Sequence, residues 1–347
     1  MKRVVLGRTG LETYQMGFGG IPIQNVSERE AIETVIHAVE KGVDFIDTSR
    51  AYTTSEGRIG KALQQSEIKV ILATKSHART ADTIRKDIEI SLNELRTDYI
   101  DIYQCHFVRD KADYERIIAP GGALEGLKKA REEGVIGHCG LTSHSLDLLL
   151  RVVGDGLFDT IMACYSFLEP AAEEKIIPLA LQKNIGVIAM KPFSGGVIED
   201  AALALKFALA RPGILVIPGV EHKELFDKNW QIFLEGQELT EDEKKRIEEI
   251  RSAHDKVFCR RCDYCQPCSE GIPIQIILAF RYLVKRSGPG VFSHPIFSNV
   301  LEKARNCSEC GQCLERCPYG LPIPKLIREN LAWIEKHPAY QRKSGDS

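Results

Sequence analysis

The 347-residue chain has no run of about 18 apolar residues, so no segment of it is built to span a bilayer. Its first stretch, MKRVVLGRTGLETYQMG, is too polar and too interrupted by glycine to act as a secretory signal. Net charge is nearly absent. Lys and Arg number 46 against 48 Asp and Glu, and the balance of −2 gives no electrostatic reason to expect nucleic acid or an anionic membrane as partner. These shortages predict a cytoplasmic location. What remains is ordinary globular composition, 44% hydrophobic and 27% charged. The length suits one large domain plus a small one.

Cysteine, by contrast, is plentiful. Eight of the eleven cysteines fall in two tight groups after residue 258. Tight CxxC spacing in a cytosolic chain favours a metal over disulfides. The other three, Cys105, Cys139 and Cys164, are scattered through apolar runs and read as small buried hydrophobes.

From residue 14 the chain alternates short apolar runs with longer helical ones. The strand candidates are YQMGFGG (14–20), VDFID (43–47), KVILAT (69–74), YIDIYQ (99–104), VIGHCGL (135–141), FDTIMAC (158–164), GVIAMK (186–191) and ILVIPG (214–219). Helical patterns follow at 27–41, 56–65, 80–95, 121–133, 145–153, 172–183 and 199–210. The first opens with Ser27 and Glu30, a capping-box pair. This order predicts an α/β fold, a closed parallel barrel rather than an open sheet. RVVLGRTGLETY ahead of it reads as a hairpin turning between Gly7 and Gly10, placed to plug the barrel floor. Barrel chemistry sits at the C-terminal ends of strands. Those ends bring Asp47, Lys75 and His106, with Tyr52 in the loop after Asp47. After about residue 235 the character changes: a charged helix TEDEKKRIEEIRSAH (240–254) with a second capping pair at Thr240 and Glu243, then the cysteines, then a helix near 323–336.

GVDFIDTSRAYTTSE, ILATKS and YQCHF together resemble the aldo-keto reductase family, over roughly residues 1–235. The resemblance implies a (β/α)8 TIM barrel that reduces an aldehyde or ketone, or oxidises the alcohol. It assigns Tyr52 as general acid, Lys75 as the cation that lowers its pKa, Asp47 as the partner of Lys75, and His106 as the group that orients the carbonyl. The residue types suit the chemistry. A phenol with a pKa near 10 holds its proton at neutral pH. It releases that proton more readily when a nearby cation stabilises the phenolate. Each residue alone has a plainer explanation: a surface tyrosine, a structural histidine, an aspartate capping a helix. Four such types, in order at successive strand ends, point to a catalytic set.

The resemblance also implies a nicotinamide nucleotide. It puts Gly19 and Gly20 beneath the nicotinamide, although a glycine pair also serves close strand packing. Thr142 and Ser143 take the carboxamide, Met162 stands where a glutamine is common, and Met190 stands where an aromatic ring stacks. Both methionines read equally well as core filling. Lys191 follows Met190 on the cofactor side. IPGVEHKELFDKN (217–229) matches the segment that grips the adenosine phosphate, with Gly219, His222 and Asn229 among its contacts. The arginine that often clamps the 2′-phosphate is replaced by Leu225, so NADP(H) is expected on family grounds and NAD(H) is a competitor. His222 and Lys223 are possible substitutes for the arginine, or simply solvated charges. Phe107, Tyr114 and Phe193 are the expected substrate-pocket walls, and a small carbonyl or alcohol the expected partner.

The tail carries CSECGQCLERCP, with Cys307, Cys310, Cys313 and Cys317 spaced C-x2-C-x2-C-x3-C-P, the run that bacterial ferredoxins use. CRRCDYCQPC supplies Cys259, Cys262, Cys265 and Cys268, one residue shorter before the last cysteine. CSEGIPIQII (268–277) and CPYGLPIPKLI (317–327) share C-x-x-G, an aliphatic residue, Pro and Ile. The two groups therefore read as an internal repeat. Two [4Fe–4S] clusters are the expectation, with zinc and plain thiols as alternatives. In the ferredoxin arrangement the fourth cysteine of each run crosses to the other cluster. Barrel plus ferredoxin-like, mostly helical tail (236–347) resembles a microbial subgroup of aldo-keto reductases, as does AMKPF (189–193). A hydride carrier moves two electrons at once and a cluster one. No flavin fingerprint is present to mediate, so the clusters are structural, sensing, or coupled to an unidentified electron-transfer partner. The rival to the enzyme is a redox sensor or electron-transfer protein that only binds nucleotide.

Overall fold

The computed structural model describes residues 2–236 and 238–345. A hairpin comes first, β1 (Arg3–Val5) antiparallel to β2 (Glu12–Tyr14). Eight parallel strands follow in sequence order: β3 (Phe18–Gly19), β4 (Phe45–Asp47), β5 (Ile71–Ser76), β6 (Ile100–Cys105), β7 (Ile136–Ser143), β8 (Thr160–Cys164), β9 (Gly186–Met190) and β10 (Leu215–Ile217). Parallel bridges Met16–Val216 and Gly19–Gly219 join the last strand to the first and bring the sheet round into a nearly closed ring. The strands are buried along most of their length, so they read as apolar runs rather than alternating ones.

Inside the ring, Phe45, Ala73, Ile102, Met162, Ile188, Leu215 and Ile217 form one cluster. Val4 and Leu6 of the hairpin belong to it, and Gly7 bridges Ile185 just before β9 begins. The hairpin therefore closes the N-terminal floor of the barrel. Each large apolar side chain buried this way contributes about 1.5–3 kcal/mol. A second, larger cluster lies between the strands and the surrounding helices, from Met16 and Val35 to Trp230 and Phe233.

The helices depart from their expected limits where local signals are weak. The region expected as one helix at 172–183 is two, Ala171–Glu174 and Ile176–Gln182. A helix Lys111–Ile118 was not anticipated; Asp110 caps it by accepting from Asp113 N. At the first helix, Glu28–Glu40, only half of the capping box forms. Ser27 Oγ accepts from Glu30 N, while the Glu30 carboxylate bonds His222 Nδ1 at 2.7 Å.

By contacts the chain forms two compact units, one of Met1–Ser194 with Asp200–Thr240 and one of Gly195–Glu199 with the chain from Glu241 onward. The second is helical: Glu241–His254, Ile274–Ser287, Pro295–Arg305, Gln312–Arg316, Ile323–Lys336 and Pro338–Gly345. Its core joins Ile272, Ile274, Ile277 and Phe280 to Leu321, Ile323, Ile327 and Ile334. Among the described residues no helix is long and apolar enough to cross a membrane.

Candidate functional site

β4, β5 and β6 end side by side, in a register that pairs Asp47 with Ala73 and Lys75 with Gln104. Their last residues consequently meet at one mouth of the barrel. Lys75 Nζ donates to Asp47 Oδ2 at 2.6 Å and to Thr48 O at 2.8 Å. Asp47 Oδ1 accepts from Gln104 Nε2 at 3.3 Å. The ammonium lies 5.0 Å from the centre of the Tyr52 ring. Lys75 is 1% and Asp47 3% exposed. Burial opposes charge on both groups and raises the Asp47 carboxyl. At Lys75 burial pulls the pKa down, but Asp47 and then Tyr52 outweigh it, so the pKa lies above the ordinary lysine value. The lysine therefore stays a cation beneath the tyrosine.

His106 follows β6. Its ring meets Tyr52 edge-on with centroids 5.8 Å apart and stacks on His77 at 4.4 Å. Burial, then the charges of Lys75, His77, Lys191 and Arg79, hold its pKa well below the usual 6.5, so the imidazole is neutral at ordinary pH.

The loop that carries Tyr52 is tied down on both sides. Arg50 Nη1 donates to Glu56 Oε2 at 2.6 Å. Glu56, 3% exposed, accepts from Thr74 Oγ1 at 2.6 Å and Ser91 Oγ at 2.8 Å. Ser49 Oγ reaches both Lys75 O and His106 Nδ1 at 3.0 Å. Sequence reasoning missed Ser49, Glu56 and Gln104. Each lies within four residues of one it did identify, but its partners are distant in the chain.

The other expected positions divide. A side chain at Gly19 would strike Pro218 O at 2.8 Å, and one at Gly20 would strike Asp47 O at 2.8 Å, so backbone packing alone requires both glycines. Gly219 bridges Gly19 and faces Pro22. Met162 is sealed in the barrel interior, and Met190 packs at its edge. Thr142 Oγ1 accepts from Phe107 N at 2.7 Å, which leaves its buried hydroxyl proton without an acceptor among the described residues. Ser143 Oγ donates to Val108 O at 2.6 Å. Lys191 has left-handed backbone, φ 59°, and its Nζ lies 2.8 Å from His144 Nε2. His222 and Lys223 are taken by Glu30 and Glu33, at 2.7 and 2.9 Å. Asn229 is buried, and its Nδ2 finds no acceptor among the described residues. Among the expected pocket walls, Phe107 and Phe193 are half-buried. Tyr114 is fully buried and donates to Asp155 Oδ2 at 3.0 Å, so it belongs to the core and lines no pocket. Cys105, Cys139 and Cys164 are buried as well.

In the second unit the two cysteine runs share one backbone pattern. Arg261 and Glu309, each two residues after the first cysteine, are left-handed at φ 57° and 53°. Asp263 and Gly311, each four after, are left-handed at 63° and 81°. Gly271 and Gly320, each three after the fourth cysteine, repeat this at 63° and 59°. The thiols group by electrostatic neighbourhood. Cys259 has Cys262 and Cys317 as neighbours, and Cys265 has Cys259 and Cys262. Cys268 stands with Cys307, Cys310 and Cys313, and these four line one cavity together with Cys265. Burial and then mutual charge raise Cys259 to about 11 and Cys265 to about 12. Among the described residues no three such side chains converge tightly enough to grip a single ion. Thiolates around one zinc, each about 2.3 Å from it, lie within about 4 Å of one another.

A barrel with an Asp, Lys, Tyr and His at one mouth defines a family, and the chain belongs to it: the aldo/keto reductase family model matches residues 15–202. L-galactose dehydrogenase of Arabidopsis thaliana is 32% identical over 214 residues, 56% of this chain and 66% of that protein. The chain thus spans just under two thirds of the length of that relative. Aldo-keto reductase YhdN of Bacillus subtilis is 29% identical over 205 residues, 53% of this chain and 60% of the other. The holo form of aldo-keto reductase AKR11C1 from Bacillus halodurans superposes with a TM-score of 0.63 at 24% identity, covering 72% of this chain and 96% of that one. An aldo-keto reductase from Klebsiella pneumoniae, in complex with NADPH, gives 0.62 at 20%, covering 72% and 95%. At these identities the likeness establishes the barrel fold.

Proposed function

We propose that the protein is an NADP(H)-dependent oxidoreductase that interconverts a small carbonyl compound and its alcohol. The observation that carries the reading is the buried Lys75–Asp47 pair with its ammonium 5.0 Å from the Tyr52 ring centre. When bound, the nicotinamide supplies or accepts the hydride. The chain handles the proton. As negative charge grows on the carbonyl oxygen, Tyr52 passes its hydroxyl proton to that oxygen, and Lys75 stabilises the phenolate left behind. Asp47 and Thr48 O hold Lys75 in position. Neutral His106 hydrogen-bonds the same oxygen. In the oxidative direction the phenolate takes the alcohol proton.

Two unsatisfied donors fit a nucleotide: the Thr142 hydroxyl for a carboxamide oxygen and Asn229 Nδ2 for an adenine ring nitrogen. Lys191, the residue after β9, would contact the nucleotide as well. The relative solved with NADPH favours the phosphorylated form. Its extra phosphate is held weakly here, because Leu225 offers no guanidinium and His222 and Lys223 are already paired with carboxylates.

For the tail we propose two [4Fe–4S] sites with crossed ligands, Cys259, Cys262, Cys265 and Cys317 for one, and Cys268, Cys307, Cys310 and Cys313 for the other. The repeated left-handed residues and the grouping of thiols support it. Buried thiols such as Cys259 and Cys265, whose pKa values burial raises, need a positive centre beside them to ionise, and iron would supply that charge. The competing role, a redox sensor with an idle barrel, leaves the buried Lys–Asp pair without a purpose.

The test is Tyr52→Phe, assayed with aldehydes and ketones under argon. The expected result is loss of turnover by orders of magnitude with nucleotide affinity nearly unchanged, because a proton donor acts in the transition state. A variant that keeps its turnover would remove Tyr52 from the mechanism.

A further inference from the structure

We infer that Ser49 is a positioning residue that selects the tautomer of His106, donating its hydroxyl proton to Nδ1 so that Nε2–H faces the substrate oxygen. The inference rests on the mechanism proposed above and follows from counting protons. Ser49 is 1% exposed, so no bulk water competes for its hydroxyl. A serine hydroxyl has one proton and two lone pairs. Ala51 N donates to Oγ at 3.1 Å and occupies one lone pair. The proton then has two acceptors at equal distance, Lys75 O and His106 Nδ1, both 3.0 Å away.

The two choices have opposite consequences. If the proton goes to Lys75 O, Oγ must accept from Nδ1–H, and a neutral ring then carries no hydrogen on Nε2. Such a ring has nothing to donate to a carbonyl oxygen. If the proton goes to Nδ1, the hydrogen sits on Nε2 and the ring is a donor. Lys75 O does not depend on Ser49, because Arg50 N also donates to it at 3.0 Å. The second choice therefore leaves no backbone group unsatisfied. His106 cannot avoid the choice by becoming doubly protonated, because burial, and then the charges around it, keep it neutral. Its backbone N donates to Ser76 O at 2.8 Å, and its ring stacks on His77, so the imidazole is held where Ser49 can address it. The alcohol-oxidising direction uses the same ring as a donor to the same oxygen.

The test has two arms. In the first, protein labelled with 15N-histidine is examined as the nucleotide complex, with His106 assigned by comparison with His106→Gln. The expected spectrum shows a bare Nδ1 and a protonated Nε2. A protonated Nδ1 with a bare Nε2 overturns the inference, whatever the variants do. In the second arm Ser49→Ala is expected to lower kcat roughly 10- to 100-fold, by analogy with metal-bound histidines that lose the hydrogen-bond partner orienting them. Nucleotide Kd should stay constant, and the Nε2–H signal should weaken. Unchanged kcat and an unchanged ring spectrum in Ser49→Ala also overturn it. Tyr52→Phe, run alongside, separates the two levels. If Tyr52→Phe retains activity, the mechanism beneath has failed. If it is inactive while Ser49→Ala behaves as wild type, only the assignment of Ser49 has failed.

Discussion

Replacing Lys75 by Met removes the charge on which the proposed acid depends and leaves its shape largely in place. Taking the 5.0 Å from the ammonium to the centre of the Tyr52 ring as the separation from the phenolate charge, and an effective dielectric near 20, the lost attraction is about 3 kcal/mol. That is roughly 2 pKa units on the phenol. If the full phenolate charge develops in the transition state, kcat falls on the order of 10²-fold; partial transfer lowers the figure. Stability suffers too. Asp47 is 3% exposed and loses its ammonium partner, and breaking a buried pair costs about 3–5 kcal/mol. Lys75→Met is therefore to be compared with Asp47→Asn/Lys75→Met, which removes both charges. The double variant should recover much of the lost thermal stability and none of the lost kcat. Turnover is followed by nucleotide absorbance, nucleotide affinity by fluorescence titration, and unfolding by calorimetry. A folded Lys75→Met enzyme with kcat within about threefold of wild type would refute the reasoning. So would a loss that lies wholly in nucleotide affinity.

NADPH should bind more tightly than NADH but only modestly; a preference above about a thousandfold, roughly 4 kcal/mol in a titration, would mean that a complete phosphate clamp exists elsewhere. Because the pKa of His106 lies well below 6.5 in the folded protein, the unfolded chain binds its proton first, and stability should fall as pH drops from about 6.5 toward the folded value. Thermal unfolding of His106→Gln should show a shallower pH slope, by at most about 1.4 kcal/mol per pH unit, with His77 and His138, whose pKa values are also lowered, accounting for part of the remainder. Anaerobic protein should hold about eight iron atoms per chain, and Cys317→Ser should first alter the spectrum of the cluster bound by Cys259, Cys262 and Cys265. Damage to the other cluster would mean local ligation, and zinc without iron would end the iron–sulfur reading.

What was legible in the sequence was whatever is local or periodic. Asp47 ends β4 and Tyr52 lies five residues on in the loop that follows, while Lys75 lies near the end of β5 and His106 just after β6, so barrel geometry alone brings them together. Side chains whose partners lie elsewhere were not legible. Ser49 and His106 are 57 residues apart, and Glu56 joins Arg50 to Ser91 across two further elements. Nothing in DTSRAY announces either contact. Tyr114 was misplaced for the same reason: an aromatic after a catalytic strand suits a pocket wall until Asp155 and Phe158 are seen beside it. His222 and Lys223 read as available cations because Glu30 and Glu33, their carboxylate partners, sit nearly 200 positions earlier.

The unequal spacing of the two cysteine runs looks like an obstacle to equivalent cluster sites, since Cys268 follows Cys265 by three residues and Cys317 follows Cys313 by four. The backbone removes the obstacle. The extra residue falls within the short helix Gln312–Arg316, which the first run lacks. Beyond it the two runs return to one register. Gly271 N donates to Cys268 O at 2.9 Å and Gly320 N to Cys317 O at 3.1 Å, and both glycines are left-handed. Six residues after each fourth cysteine a 14-residue helix begins, at Ile274 and at Ile323. The fourth cysteine is thus fixed to the start of its own helix and not to the loop of the three cysteines before it. The two helices pack against each other, with Ile277 and Ile327 in one shared core, so each carries its leading cysteine toward the other run's loop. Length between the third and fourth cysteines can therefore vary without moving the fourth thiol. Inserting one residue between Gln266 and Pro267 should leave iron content near wild type, whereas one inserted between Cys268 and Gly271 should cost the cluster of Cys307, Cys310 and Cys313. Loss of iron from both insertions alike would show that the loop spacing, and not the helix start, sets the ligand.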